Sequence, residues 1–306
     1  MRAFAYCLVA TTVALLACGS SDDNNGNPEG GNDATSSGDG NPFGNLDSSS
    51  GDGSGGDASD AGCYAPVDMY IMQDRSGSMG TDCNIGGTTN SKWCHAINAL
   101  SGYFNSPNAT GNAAALQFFP LPNDSNAQCS TGTIYSTPAV PTSPPPFVTL
   151  PTNGFDALLN SENSGGITPT EAAIRGIVNY TSGNRRGGRV TIGILVTDGD
   201  PTSCDTNLQH LSNLLQAQYT ATTIRTYVIG MTGATDSNLE TIAQGGNAPL
   251  HPATVGSLTN ACGSSPAPCR HWNVGDGNPQ GFVEALAAIE QSANGYADGG
   301  GVINPN

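Results

Sequence analysis

Asp74, Ser76 and Ser78 stand close together in the segment 67–80, VDMYIMQDRSGSMG. Three oxygen-bearing side chains thus fall on one short turn, directly after an apolar run, and Gly77 between the serines permits a tight backbone. A carboxylate and two hydroxyls, with no nitrogen or sulfur donor among them, suit a hard cation such as Mg²⁺, Mn²⁺ or Ca²⁺. In open α/β sheets ligands bind outside the carboxyl ends of strands, which is where this turn would stand. The plainer alternative is that both serines only hydrogen-bond the turn itself.

A strand must deliver such a turn and other elements must pack around it. Residues 67–72 read as a short buried strand. Trp93, Ile97, Leu100 and Phe104 recur at helical spacing on one face. Residues 113–119 read as a second strand. The proline-rich stretch 121–151, with β-type pieces at 133–135 and 147–150, suits an edge strand and a long loop, because proline cannot donate to a ladder. Thr168-Pro169-Thr170-Glu171 has the form of a capping box with proline at the first helical position. A helix is therefore predicted over 169–181, with Ile174, Ile177 and Val178 facing the core. Residues 190–196 are the most strand-like in the chain and run into Thr197-Asp198-Gly199. Leu208, Leu211, Leu214 and Leu215 mark a further helix, with Asp205 as its predicted N-cap. A strand at 224–229 and a short helix at 237–244 follow. The Cys-bearing stretch 245–278 reads as disordered, and Phe282, Leu286 and Ile289 mark a closing helix. Strands alternating with helices predict an open, mostly parallel, doubly wound (Rossmann-like) α/β sheet. It would carry one antiparallel edge strand and helices on both faces.

Asp-x-Ser-x-Ser after a first apolar strand resembles the metal-ion-dependent adhesion site of von Willebrand factor A domains. That family also uses a threonine in a Gly-rich loop before a helix, and an aspartate at the end of its fourth strand. Gly165-Gly166-Ile167-Thr168-Pro169-Thr170 resembles the first and implies a ligand role for Thr168; Ile194-Leu195-Val196-Thr197-Asp198-Gly199 resembles the second and implies Asp198. The pieces occur in the family's order, and the resemblance spans roughly residues 64–291. It implies that the hydroxyls of Ser76, Ser78 and Thr168 bind a divalent cation directly, Mg²⁺ ahead of Mn²⁺ or Ca²⁺, while Asp74 and Asp198 act mainly through bound waters. Neutral hydroxyls would leave the ion much of its charge, with one position open to a carboxylate of a protein or matrix partner. The expectation is a binding or adhesion module and not an enzyme. Two simpler roles stay open: Thr168 as a helix cap and Asp198 as a turn residue. The segments 121–151 and 245–278, and the cysteines near Cys83, depart from a minimal A domain and would decorate its loops.

A rival of another class shares the same strand end. Asp198-Gly199-Asp200-Pro201-Thr202 resembles the D-x-D-x-T loop of haloacid-dehalogenase-type phosphohydrolases, in which Asp198 would attack phosphorus and Asp200 act as acid and base around Mg²⁺. That chemistry calls for a downstream lysine, and none follows Asp198. Serine hydrolysis is weaker: there is no G-x-S-x-G elbow and no identifiable base beside Ser76. A third reading keeps the fold without the ion, as a structural envelope scaffold. Arg75 is expected to face solvent, and His95, His210, His251 and His271 to be surface or helix-packing residues.

The chain of 306 residues has a formal net charge of −16, and Lys92 is its one lysine. No basic footprint for nucleic acid exists, and no small-molecule substrate is expected. Residues 1–18 read as an export signal, with Arg2 before an apolar stretch too short to span a membrane comfortably. It ends Leu15-Leu16-Ala17-Cys18, which resembles the lipobox of bacterial lipoproteins and implies lipidation at Cys18. Gly19 in place of aspartate implies the outer membrane, on its periplasmic or surface face. Residues 19–62 are rich in Gly, Ser, Asn and Asp, and are expected to form a disordered acidic tether with a reach of roughly 35–40 Å. Residues 63–295 would be the folded domain and 296–306 a fraying tail. In an oxidising envelope Cys63, Cys83, Cys94, Cys129, Cys204, Cys262 and Cys269 are disulfide candidates, with one thiol left over. Cys83 with Cys94 and Cys262 with Cys269 are the expected local pairs; a metal cluster is disfavoured for want of ligand spacing.

Overall fold

The runs that the sequence offers as inner strands are covered on both faces, as parallel strands between helical layers must be. In the computed structural model, which describes residues 65–122, 129, 131–275 and 279–294, every residue of β1 (Val67–Asp74) and β2 (Ala113–Phe119) is buried. The export signal with Cys18, the tether, Cys63 and the tail at 296–306 lie outside the described residues. β3 (Val148–Thr149), β4 (Val190–Thr197), β5 (Arg225–Gly230) and β6 (Trp272–Asn273) complete a six-stranded sheet in the order β3-β2-β1-β4-β5-β6. All neighbours are parallel except β2 and β3. The expected open α/β sheet with one antiparallel edge strand is the observed one.

Among the described residues six α-helices flank it: α1 (Lys92–Phe104), α2 (Asp156–Ser161), α3 (Thr170–Gly183), α4 (Leu208–Thr222), α5 (Asp236–Gly245) and α6 (Pro279–Asn294). α1 packs on α6, and α3, α4 and α5 pack in series; α3 and α6 each rest on β1 and β4. Trp93, Ile97, Leu100 and Phe104 are fully buried, so the apolar stripe of α1 faces inward as its spacing requires. Gly193 in β4 lets α3 approach closely: a Cβ there would lie 2.3 Å from Ile177 Cγ2. Among the described residues, no helix is long and apolar enough to cross a membrane.

Several local expectations are corrected. Residues 133–135 do not form a β piece; Ile134–Ser136 is a 3-10 turn lying on α3, while β3 falls inside the expected 147–150. The helix after β4 is capped by Asn207, whose side chain accepts from His210 N, and not by Asp205. Asp205 instead accepts from Asn207 N one step earlier, which orders the turn leading into the helix. The stretch 245–275 is folded: Cys262 pairs with Cys269, β6 extends the sheet, and His251 stacks on Trp272 at 3.8 Å. Its polar composition concealed a small buried cluster held by these few side chains. His271 is fully buried there, with Nδ1 2.8 Å from Glu240 Oε2, and His251 is nearly so, which corrects the surface or helix-packing role expected of both. Cys83–Cys94 and Cys262–Cys269 are paired as expected, and Cys129–Cys204 is a further pair.

Candidate metal centre

β1 has β2 on one side and β4 on the other, so the chain reverses its direction of progress across the sheet between β1 and β4. At such a switch point the loops beyond the strand ends splay apart and leave a crevice. The register pairs Gln73 with Val196, which sets Asp74 beside Thr197 and brings the two loops bearing candidate ligands together.

Asp74 is fully buried at the end of β1. Its Oδ1 accepts from Ser76 N at 2.7 Å and its Oδ2 from Thr197 Oγ1 at 2.7 Å. Burial pushes the Asp74 carboxyl up to about 6; the hydrogen bonds from Thr197 and Ser76 oppose that rise and the charge of Asp198 adds to it. Ser76 Oγ lies 3.0 Å from Ser78 Oγ, and Ser78 Oγ donates to Asp198 Oδ1 at 2.8 Å. The oxygens of Ser76, Ser78 and Asp198 thus form one connected set, and Asp74 joins it through the backbone N–H of Ser76. It is buried at the aspartates and reaches solvent at Ser78. Ser78 does more than serve the local turn, since its hydroxyl reaches Asp198, and Ser76 makes no side-chain cap to the 3-10 turn Gly77–Met79.

Thr168 is 4% exposed and reaches the same crevice through its backbone. Gly77 N donates to Gly166 O and Gly165 N to Arg75 O, tying the Gly-rich loop to the Asp74 loop. Thr168 N donates to Thr202 Oγ1 at 2.9 Å and Thr202 N to Thr168 O at 3.1 Å, tying it to the loop after β4. Held on both sides, the chain turns helical only at Thr170, with Pro169 at the N-cap and no side-chain cap bond. The predicted capping box is therefore not formed. Glu171 binds Arg175 and the backbone N–H of Asp205 instead. Among the described residues the Thr168 hydroxyl makes no hydrogen bond, either as a cap or to the other four side chains.

The donor set fits a hard cation. It offers two carboxylates and the hydroxyls of Ser76 and Ser78, with no soft ligand among them, and Asp198 Oδ2 is buried. That oxygen faces the ammonium of Lys92, 2.5 Å away, which also donates to Thr232 O at 2.9 Å. Sequence reasoning passed over Lys92, Thr197 and Thr202. Lys92 did carry a signal, as a cation in the first turn of a helix, where the macrodipole disfavours positive charge.

Arg75 is corrected. It is buried, donates to Pro120 O at 2.7 Å and pairs with Glu162. With Pro120, Leu121 and Ile167 it lines a cleft of about 580 Å³ beside the Thr168 loop. Asp200 accepts from Thr235 Oγ1 at 2.8 Å and so points to the loop after β5. A second group of possible ligands, His251, Cys262 and Cys269, lies within the fold although its spacing gave no sign of it, but both sulfurs are joined to each other.

The model for the von Willebrand factor type A domain matches residues 153–261. Thr168 and Asp198 fall within the match; Asp74, Ser76 and Ser78 precede it. No curated protein matches the chain. Among solved structures, proximal thread matrix protein 1 from the mussel byssus, in crystal form 2, is 14% identical over 76% of this chain and 49% of its own, with a TM-score of 0.47. Another structure of that protein is 15% identical over 76% and 47%, with a TM-score of 0.40. The chain spans about half the length of these solved chains.

Proposed function

We propose that this chain is a binding module in which Asp74, Ser76, Ser78, Thr168 and Asp198 hold a divalent cation, Mg²⁺ ahead of Mn²⁺ or Ca²⁺, to capture a carboxylate of a protein or matrix partner. The matched family supports a protein-interaction or adhesion module. The observation that carries the finer reading is the run of oxygens from Ser76 through Ser78 to Asp198, with Asp74 held beside it by the Ser76 backbone N–H, at the switch point of the sheet. When bound, the ion would supply a Lewis-acidic position for an incoming carboxylate oxygen. The chain's own residues do the rest. Thr197 and Ser76 N orient Asp74, Ser78 bridges to Asp198, and Thr202 fixes the backbone of Thr168. Lipidation at Cys18 would anchor the module in the bacterial envelope, on the outer membrane.

Lys92 at Asp198 gives the phosphohydrolase reading the lysine it lacked downstream, now from upstream in the chain. The surroundings still favour binding over catalysis. One Asp198 oxygen accepts from Ser78 and the other faces Lys92, and the Asp200 carboxylate is engaged by Thr235. A phosphatase activity lost in Asp198→Asn and kept in Ser76→Ala would restore the rival. The binding reading is tested by capturing partners from an envelope extract with the full chain and with Asp74→Ala, each with and without chelator. Capture that needs both the aspartate and the ion supports it. Capture indifferent to both contradicts it.

A further inference from the structure

Lys92 is placed against local preference and in favour of a tertiary one. It is the first residue of α1, after the N-cap Ser91, where helix polarity favours an acid. The chain has 25 acidic residues against 9 basic ones, so exposed carboxylates are abundant, yet its one lysine is directed at the fully buried side chain of Asp198. The ammonium is cradled. Thr232 O accepts from it at 2.9 Å, and Gly233, at φ +113°, leaves room: a Cβ there would lie 3.1 Å from Nζ and 2.9 Å from Asp198 O. Asp198 divides its oxygens, Oδ1 accepting from Ser78 and Oδ2 facing Lys92.

We propose that Lys92 is a built-in counter-charge of the metal centre. Its ammonium shares Asp198 with the divalent cation, lowers the site's affinity for the ion and leaves the ion more attractive to a carboxylate. This rests on the metal-binding reading above. The two aspartates bring two negative charges, and Lys92 cancels one of them through the oxygen that Ser78 does not use. A fixed positive charge on a carboxylate that also held a divalent cation would repel the ion strongly enough to shift affinity by a factor of about ten or more, on the order expected from screened Coulomb energies.

The test is Mn²⁺ titration of the full chain by calorimetry and by electron paramagnetic resonance, comparing wild type, Lys92→Met, Lys92→Gln, Lys92→Arg and Asp74→Ala. Lys92→Met and Lys92→Gln are expected to bind Mn²⁺ roughly tenfold tighter or more, and Lys92→Arg, which keeps the charge, to stay within about threefold of wild type. A strut that only ties α1 to the loops after β4 and β5 would lower the melting temperature without tightening the ion. Gln keeps a donor for Thr232 O, so it provides a folded neutral variant if Met does not. Mn²⁺ binding that is lost in Asp74→Ala but unchanged or weakened in both neutral variants overturns the role of Lys92 alone. Arg tightening the site as much as Gln overturns it equally. An absence of Mn²⁺ binding in every chain overturns the metal centre and this role together.

Discussion

Thr197 donates a 2.7 Å hydrogen bond to Asp74 Oδ2 across the neighbouring parallel strands β1 and β4, although 123 residues separate the two in sequence. The register that pairs Gln73 with Val196 sets the two residues side by side once the strands align. The last residue of β4 thus orients the first candidate ligand of β1, and the next residue, Asp198, takes the hydroxyl of Ser78. The two halves of the site are assembled by the sheet itself.

Removing that donor loosens Asp74 without touching any proposed ligand. Thr197→Val is expected to weaken Mn²⁺ binding about tenfold, the low end for partners that orient metal ligands, and Thr197→Ser to restore it. Unaltered affinity in the valine variant would mean that Ser76 N alone suffices to orient the carboxylate.

The other end of β1 provides a stability test separate from the site. Asp68 is fully buried and bound by Arg186 and by Arg189, the latter at 2.5 Å. Asp68→Ala leaves two cations without their counter-charge and should cost about 3 kcal/mol in urea unfolding, at the low end for a broken buried pair because both arginines are partly exposed. Ion affinity of the folded fraction should not change, since six residues of strand, about 20 Å, separate Asp68 from Asp74.

Strand and helix placement could be read from the sequence because period and apolar runs are local properties: β1, β2, β4 and β5, and the buried stripe of α1, fall where those patterns put them. The oxygens of Asp74, Ser76 and Ser78 were legible for the same reason, being neighbours in the chain. Features that depend on distant contacts were not. Thr168 resembled a ligand or a cap, and nothing in sequence showed that Thr202 holds its backbone N–H and C=O; Arg75 resembled a solvent-facing residue, but Glu162 meets it from the end of α2. The ordered 245–275 segment gave no periodic signal, because a disulfide and two buried histidines, not a repeating apolar face, hold it.

Cys129 and Cys204 join the 121–151 segment to the loop after β4, across 75 residues of chain. Cys204 follows Thr202, whose hydroxyl accepts from Thr168 N. Replacing both cysteines with serine is expected to lower unfolding free energy by about 4 kcal/mol, as loop-closure entropy gives for a loop of this size. It should also weaken ion binding in the folded protein. A variant with native stability and native ion affinity would show that the bridge neither constrains the unfolded chain nor steadies the loop.

Acid should act first on the 245–275 segment. Burial holds the His251 imidazole below its ordinary value of 6.5. The unfolded chain therefore takes up that proton at a higher pH than the folded one. Its contribution to stability is complete above 6.5 and declines as pH falls from there toward the folded value. Glu240 acts in the same direction at lower pH. Burial pushes its carboxyl up, but bonds from His271 and from the N–H groups of Arg270 and His271 outweigh burial and hold it below 4.5. That contribution is present above 4.5 and is lost as pH falls through the folded value. Relative to His251→Phe, which keeps the stack on Trp272 and shares the opposing rise from Asp74, the wild-type unfolding midpoint should fall between neutral pH and about 5. A wild-type midpoint that runs parallel to that of the variant across the interval contradicts the assignment.

The most direct test of the account is calorimetric titration of the full chain with Mg²⁺, beside a Ser76→Ala/Ser78→Ala variant shown by circular dichroism to be folded. One saturable site in the wild type, lost in the double variant, is the predicted result. Absence of binding in the wild type, or binding that survives removal of both hydroxyls, would contradict it.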